Sequence, residues 1–183
     1  VHSVIWSNVS DAIYHSGGSL AVTNSILQAS GVGRYIFTGV SNALIRGDYN
    51  DVVAGNGAYV ALDGGVISKT LSRWQERTSN DVHTLSHDPR FSSPASDLHL
   101  RSSAGRYNPA TGTFVTTDAD YSYLIDAGDP AWSVGNESGA NGGRVNIGLF
   151  GGSAEASRSP VAGWFVALTY NDGGIARGTN DIR

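Results

Sequence analysis

A short motif recurs in the first third of the chain. The segments His2-Ser3-Val4-Ile5-Trp6-Ser7-Asn8, Asn24-Ser25-Ile26-Leu27-Gln28-Ala29-Ser30 and Asn50-Asp51-Val52-Val53-Ala54-Gly55-Asn56 align, 22 and then 26 residues apart. Each runs polar, small polar, two aliphatic residues, then small or polar. A repeat of this length restricts the chain to units that bury their apolar face by stacking on one another. A helical unit needs apolar residues spaced at 3.6, and that spacing is missing here. The repeat therefore predicts short β-rich passes of the chain, laid over one another.

The residues inside each pass agree. Leu20, Val22 and Ile26 alternate with Ala21, Thr23 and Ser25, the period of a half-buried strand. Asn24 interrupts the series as a corner residue would. Ser16-Gly17-Gly18-Ser19 and Gly31-Val32-Gly33 provide turns. Tyr35-Ile36-Phe37-Thr38-Gly39-Val40 and Ala58-Tyr59-Val60-Ala61-Leu62 read as further strands. In stacked parallel strands equivalent residues lie about 4.8 Å apart. Asn24 and Asn50 are thus candidates for an amide ladder, with simple turn-forming as the competing reading.

After Asp63-Gly64-Gly65 the pattern changes. Residues 70–78 carry the one helical signal. Thr70 is a candidate N-cap, and Leu71, Trp74 and Thr78 share a face. So short a helix needs Trp74 to pack against the strands. Residues 81–150 are broken by prolines and read as loops with short strands at 97–100, 123–125 and 145–150. Four parts are expected: terminal β coils over 1–66, a loop-rich cap with the helix over 67–152, a linker over 153–160, and the start of a β-rich module over 161–183. On this reading the sequence begins inside a coil and ends inside the next module.

Composition removes several classes. Without Cys there is no disulfide framework, zinc–thiolate site or cysteine nucleophile. Twelve basic residues, eleven of them Arg, are scattered along a chain of net charge −4, which is no footprint for nucleic acid. No apolar run is long enough to span a membrane.

Further motifs follow in fixed order: Asp88-Pro89-Arg90-Phe91, Asp97-Leu98-His99-Leu100-Arg101-Ser102, Ile125-Asp126-Ala127-Gly128-Asp129-Pro130, Asn141-Gly142-Gly143-Arg144-Val145-Asn146-Ile147-Gly148 and Ala154-Glu155-Ala156-Ser157. This series resembles the C-terminal end of bacterial secreted right-handed parallel β-helix repeat proteins of the pectate-lyase-like superfold. Residues 161–183 are similar to the first strands of an immunoglobulin-like module. The resemblance implies an all-β fold: right-handed parallel β-helix (solenoid) coils, with a loop-rich C-terminal cap containing one short helix. It also implies a secreted or cell-surface location.

Chemistry-bearing residues are plentiful, but none forms a committed catalytic, cofactor or metal site. Asp118, Asp120, Asp126 and Asp129 are oxygen-rich enough to suggest Ca²⁺, yet lack the spacing of a Ca²⁺ loop. Capping of turns is favoured for Asp126 and Asp129. Asp126 and Arg144 are a candidate buried ion pair. His83, His87 and His99, near Asp81, Asp88 and Asp97, read as structural. Asp48 and Asp51 could flank a groove as a hydrolase pair would. The resemblance implies that a lyase of this kind would use Ca²⁺ or a Lys or Arg base on the flank of mid-solenoid coils, which this chain mostly lacks, and Lys69, the single Lys, lies in a loop entering the short helix. Trp6, Tyr14, Tyr35, Tyr49, Tyr59 and Trp132 could line a sugar groove or simply pack between passes.

The expected function is therefore a non-catalytic structural, adhesive or assembly part of an exported or cell-surface β-solenoid. Its partners would be the rest of a longer polypeptide, or self-association through open coil edges, with polysaccharide a further candidate ligand. No cofactor is expected, Ca²⁺ being the one candidate. The alternatives are a carbohydrate-active enzyme (polysaccharide lyase or glycoside hydrolase) and a carbohydrate-binding module.

Overall fold

The computed structural model describes residues 2–40 and 43–160. The expected module at 161–183 lies outside the described residues. The first pass of the chain contributes β1 (Val4–Ile5), β2 (Ile13–His15) and β3 (Gly18–Thr23). The second contributes β4 (Ile26–Ser30), β5 (Tyr35–Gly39) and β6 (Ala43–Asp48). The third adds β7 (Asp51–Gly55) and β8 (Tyr59–Asp63). Strands pair in parallel only with their counterparts on the next pass: β1-β4-β7, β2-β5-β8 and β3-β6.

The corners follow from the sequence. Asn24 holds the left-handed conformation at φ 56°, and Gly31 and Gly33 also have positive φ. Asn tolerates this region at small cost and Gly at none. The third pass then ends. Gly64 and Gly65, both at positive φ, turn the chain sharply, and β9 (Val66–Ser68) runs back antiparallel to β8.

Two apolar cores result. The first lies inside the parallel sheets and includes Leu27, Ile36, Phe37, Ile45, Val52 and Val60. The second lies between β4 and the cap, around Ile26, Leu85, Phe91, Leu100, Leu124 and Ile147. Ile26 and Leu27 are neighbours in β4 yet feed opposite cores, so this strand is buried on both faces. Full burial of each such side chain contributes about 1.5–3 kcal/mol.

Helix α1 (Leu71–Thr78) forms as the capping signal predicts. The Thr70 hydroxyl accepts from the Arg73 N–H at 3.3 Å, and Ser79 closes the helix in the left-handed conformation. Trp74 stacks on Phe37 with ring centroids 5.7 Å apart, which fixes α1 over the first core. Two small antiparallel pairs complete the cap: β10 (Phe91–Ser93) with β11 (Asp97–Leu100), and β12 (Arg106–Asn108) with β13 (Thr113–Val115).

The structure corrects several expectations. Among the described residues the strands form five separate sheets of two to four strands, parallel and antiparallel, and no sheet closes or runs on as a solenoid. The expected membership in the secreted parallel β-helix proteins of the pectate-lyase-like superfold is overturned on this point. Parallel strand pairing stops where Gly64 and Gly65 reverse the chain, and only an isolated parallel bridge, Leu85 to Asp51, follows among the described residues. What holds is the coarser fold class, mostly β with one short helix.

The repeat register also shifts. Ile26 pairs with Asp51, not Val52, so the second offset is 25 residues. Asn50 then stands opposite Ser25, and its Oδ1 accepts from the Ser25 N–H at 3.0 Å. Asn24 and Asn50 are both buried but form no ladder with each other. Segments 123–125 and 145–150 are not strands. Their buried apolar residues are held by cross-links such as Ile147 N–H to Leu124 O at 2.9 Å and Gly128 N–H to Val145 O at 2.8 Å. Residues 153–160 are stitched into the cap: Ser157 donates to Leu100 O at 2.5 Å, and Arg158 N–H to Gly105 O at 2.8 Å.

Candidate functional site

The densest polar chemistry lies where the third pass meets the cap. Asp81, in the left-handed conformation just after α1, is fully buried. Its carboxylate accepts from Trp74 Nε1 at 2.8 Å, Thr84 Oγ1 at 2.7 Å and Asn50 Nδ2 at 3.2 Å. Burial pushes its carboxyl up, and these donors oppose the shift. Gly47 leaves room for it, since a Cβ there would stand 2.6 Å from Asp81 Oδ1. One carboxylate thus ties β6, the corner before β7, and α1 together.

Asp51 starts β7 and is also fully buried. Its Oδ1 accepts from the His87 N–H at 2.9 Å, while its Oδ2 has no hydrogen-bond partner. It therefore does not flank an open groove beside Asp48, as a hydrolase pair would require. Asp48 instead binds His83, through the backbone N–H at 2.7 Å and Nδ1 at 2.8 Å.

The four clustered carboxylates are dispersed by the fold. Asp118 accepts from Ser102 N–H and Arg106 Nε, both at 3.0 Å. Asp120 pairs with Arg90 at 3.5 Å and Arg101 at 3.8 Å. Asp129 Oδ1 accepts from Ala131 N–H at 2.9 Å, and Asp126 Oδ1 from Gly142 N–H at 2.9 Å, so both fasten turns. Among the described residues no group of three or more His, Asp or Glu is placed to hold a metal ion. Asp126 and Arg144 are not the expected ion pair. Arg144 instead donates to the carbonyls of Ala127, at 3.1 Å, and Gly128. Each side chain grips the backbone of the other segment, Asp126 at Gly142 and Arg144 at Ala127 and Gly128.

The histidines are anchored individually. His99 is 3% exposed, lies 3.6 Å from the Phe150 ring in a near-parallel stack, and has Nδ1 2.6 Å from Asp97 Oδ1. Arg106 holds the other Asp97 oxygen at 3.3 Å. Desolvation works against the Asp97 charge, but the His99 contacts outweigh it and hold that carboxyl below its usual range. His87 sits against Tyr123, 5.6 Å between centroids.

The aromatic candidates do not line one groove. Trp6 meets Phe91 edge-on at 5.0 Å in the second core. Tyr49 stacks on His83 at 4.6 Å and carries Arg144 at 5.6 Å. Tyr35 and Tyr59 are 6.1 Å apart and tilted by 49°, with Lys69 5.4 Å from the Tyr59 ring. Tyr14 and Trp132 are exposed.

Two polar anchors escaped sequence reasoning. Asp11 accepts from Tyr35 N–H at 3.0 Å and Thr38 Oγ1 at 2.6 Å, bracing β5. Glu137 Oε1 accepts from Asn146 N–H at 2.9 Å and Gly152 N–H at 2.8 Å. Both partner sets lie across loops, so no spacing in the sequence could have flagged them.

No family model, curated protein or solved structure matches this chain. The resemblance to the secreted β-helix proteins is thus without support from relatives as well as from the sheets. Fold and site together define a class and no more: a mostly-β chain of small stacked sheets with a polar-stitched cap. No described helix is long and apolar enough to cross a membrane.

Proposed function

We propose that this chain is a non-catalytic structural or assembly element whose first strand pass is a docking face for further β structure. The carrying observation is an asymmetry between its two ends. Among the described residues β1, β2 and β3 each pair with one strand only, which leaves three backbone edges without a described partner. On the far side Val52 N–H donates to Leu85 O, Asp81 N–H to Gly47 O, and β9 covers β8. Interior positions follow the same gradient. Val4, Ile5, Ile13 and Leu20 are half-buried, while their pairing partners Ile26, Leu27, Phe37 and Ile45 are buried.

In this proposal the layer that fits the open edge of the stacked parallel passes is a second copy of this chain. Natural edge strands are usually blunted by charge. Residues 2–33 contain no Lys, Arg or Glu, and Asp11 is committed to Tyr35 and Thr38. An exported or cell-surface setting is part of this proposal, and a chain without Cys is compatible with it. The carbohydrate readings draw less support, since Asp51 is enclosed and the Tyr49 ring is occupied by His83 and Arg144.

Sedimentation velocity over a dilution series tests this. Expected is concentration-dependent self-association that is lost in Ser19→Lys/Ala21→Lys, a β3-edge variant with unchanged circular dichroism. A wild-type monomer at every concentration, with first-pass amides exchanging freely, overturns the proposal. So does retarded migration in a polysaccharide gel without self-association.

A further inference from the structure

We propose that Asp51 is a proton-controlled latch fastening the cap to β7. The carboxyl sits at a seam where two chain segments meet. Asp51 pairs with Ile26 of β4 on one side and bridges to Leu85 of the cap on the other. Leu85 N–H donates to Asn50 O at 2.8 Å, and Val52 N–H to Leu85 O at 2.9 Å. The cap is therefore hydrogen-bonded to β7 on both sides of Asp51, and the His87 N–H to Asp51 Oδ1 adds a third link. Ile26 and Leu85 belong to the second apolar core, so the surroundings of the carboxyl are dry.

Among the described residues no cation pairs with it. β4 supplies no ionisable side chain. The cap segment supplies His87, whose ring turns to Tyr123, and Asp88, whose charge is of the wrong sign. The nearest Arg of that segment, Arg90, is engaged with Tyr121 O and Asp120. Neutral, Asp51 keeps the His87 N–H on Oδ1 and leaves only an uncharged Oδ2 hydroxyl unmatched, which costs far less to bury than a charge. Ionised, it is a buried, unpaired charge whose Oδ2 has no donor, and the escape is to open the seam and hydrate it.

The direction in pH follows. Burial pushes the carboxyl up to about 7, the His87 N–H opposing and Asp88 adding. A raised carboxyl binds its proton in the closed state and releases it in the open one. Closure is strongest below the ordinary Asp range and weakens as pH rises to about 7. Across that window the opening constant of the seam grows about tenfold per pH unit, then levels off.

Two measurements on the intact chain test the latch. Carbon-detected NMR of the Asp51 carboxyl should titrate near 7; a midpoint near 4 overturns the proposal. Amide exchange of Leu85, Val52 and His87, corrected for intrinsic rates, should give opening constants that climb with pH in the wild type and stay flat in Asp51→Asn. Asn keeps the acceptor for His87 and mimics the neutral carboxyl. A pH profile in Asp51→Asn equal to that of the wild type also overturns it. The carboxyl titration needs only wild-type protein, so it decides even where the variant does not fold.

Discussion

At the scale of single residues, this fold is held by a few carboxylates and amides used as backbone clamps. Asp81 is the most heavily committed, with three side-chain donors on one buried carboxylate. Removing it strands the Trp74, Thr84 and Asn50 donors, and each stranded buried group costs about 1–3 kcal/mol. We expect Asp81→Ala to lower unfolding stability by about 3–5 kcal/mol, measured by urea titration, with Asp81→Asn intermediate because it keeps an acceptor. Exposed Arg34→Ala should change stability by under about 0.5 kcal/mol in the same assay.

Among the elements, α1 shows how far local signals reach. Thr70 and the Leu71/Trp74 face mark the helix in the sequence, but an eight-residue helix is unstable alone. What holds it is Trp74, 1% exposed, on Phe37 and Asp81. Trp74→Ala should lose about 3–5 kcal/mol and release α1, read as lost helical circular dichroism and a lower melting temperature. Thr70→Ala should cost about 1 kcal/mol and leave α1 docked. The short strands β1 and β2 behave differently, since each has a partner on one side only. Their amides should be among the fastest-exchanging of the parallel sheets unless a further layer covers them.

For the whole molecule, the question is how cap and strand passes stay together. Asn24 is the long-range tie: its Oδ1 accepts from Asp129 N–H at 2.7 Å, across 105 residues of sequence, and Gly148 N–H donates to Asn24 O at 2.9 Å. Gly128 packs so closely beneath this corner that a Cβ would stand 2.5 Å from Val145 Cγ1 and 2.9 Å from Asn24 Oδ1. Asn24→Ala and Gly128→Ala should therefore loosen the 124–148 part of the cap while leaving the parallel strands paired. Hydrogen exchange should show lost protection at Gly128, Asp129 and Ile147, with Leu27 and Ile36 unchanged.

The strand passes, their corners and α1 were legible in the sequence because each rests on local chemistry: period-two alternation, left-handed Asn and Gly, and an N-cap. Register was not. A one-residue slip at Asp51 costs nothing locally, and β4 is buried on both faces, so the alternation that normally fixes a strand to its neighbours is uninformative there. Nor could the sequence say that Asp126 and Arg144 would each bind backbone, that Asp51 would be enclosed, or that the ordered cap motifs would not imply a solenoid. In the sequence by itself, local signals a few residues in range marked the strands of the first three passes, their turns and α1, but misplaced strands at 123–125 and 145–150, where the chain runs as cross-linked loops. Tertiary structure decided which carboxylates are buried and what they hold, because desolvation and hydrogen bonding depend on neighbours brought together from 30 to more than 100 residues away.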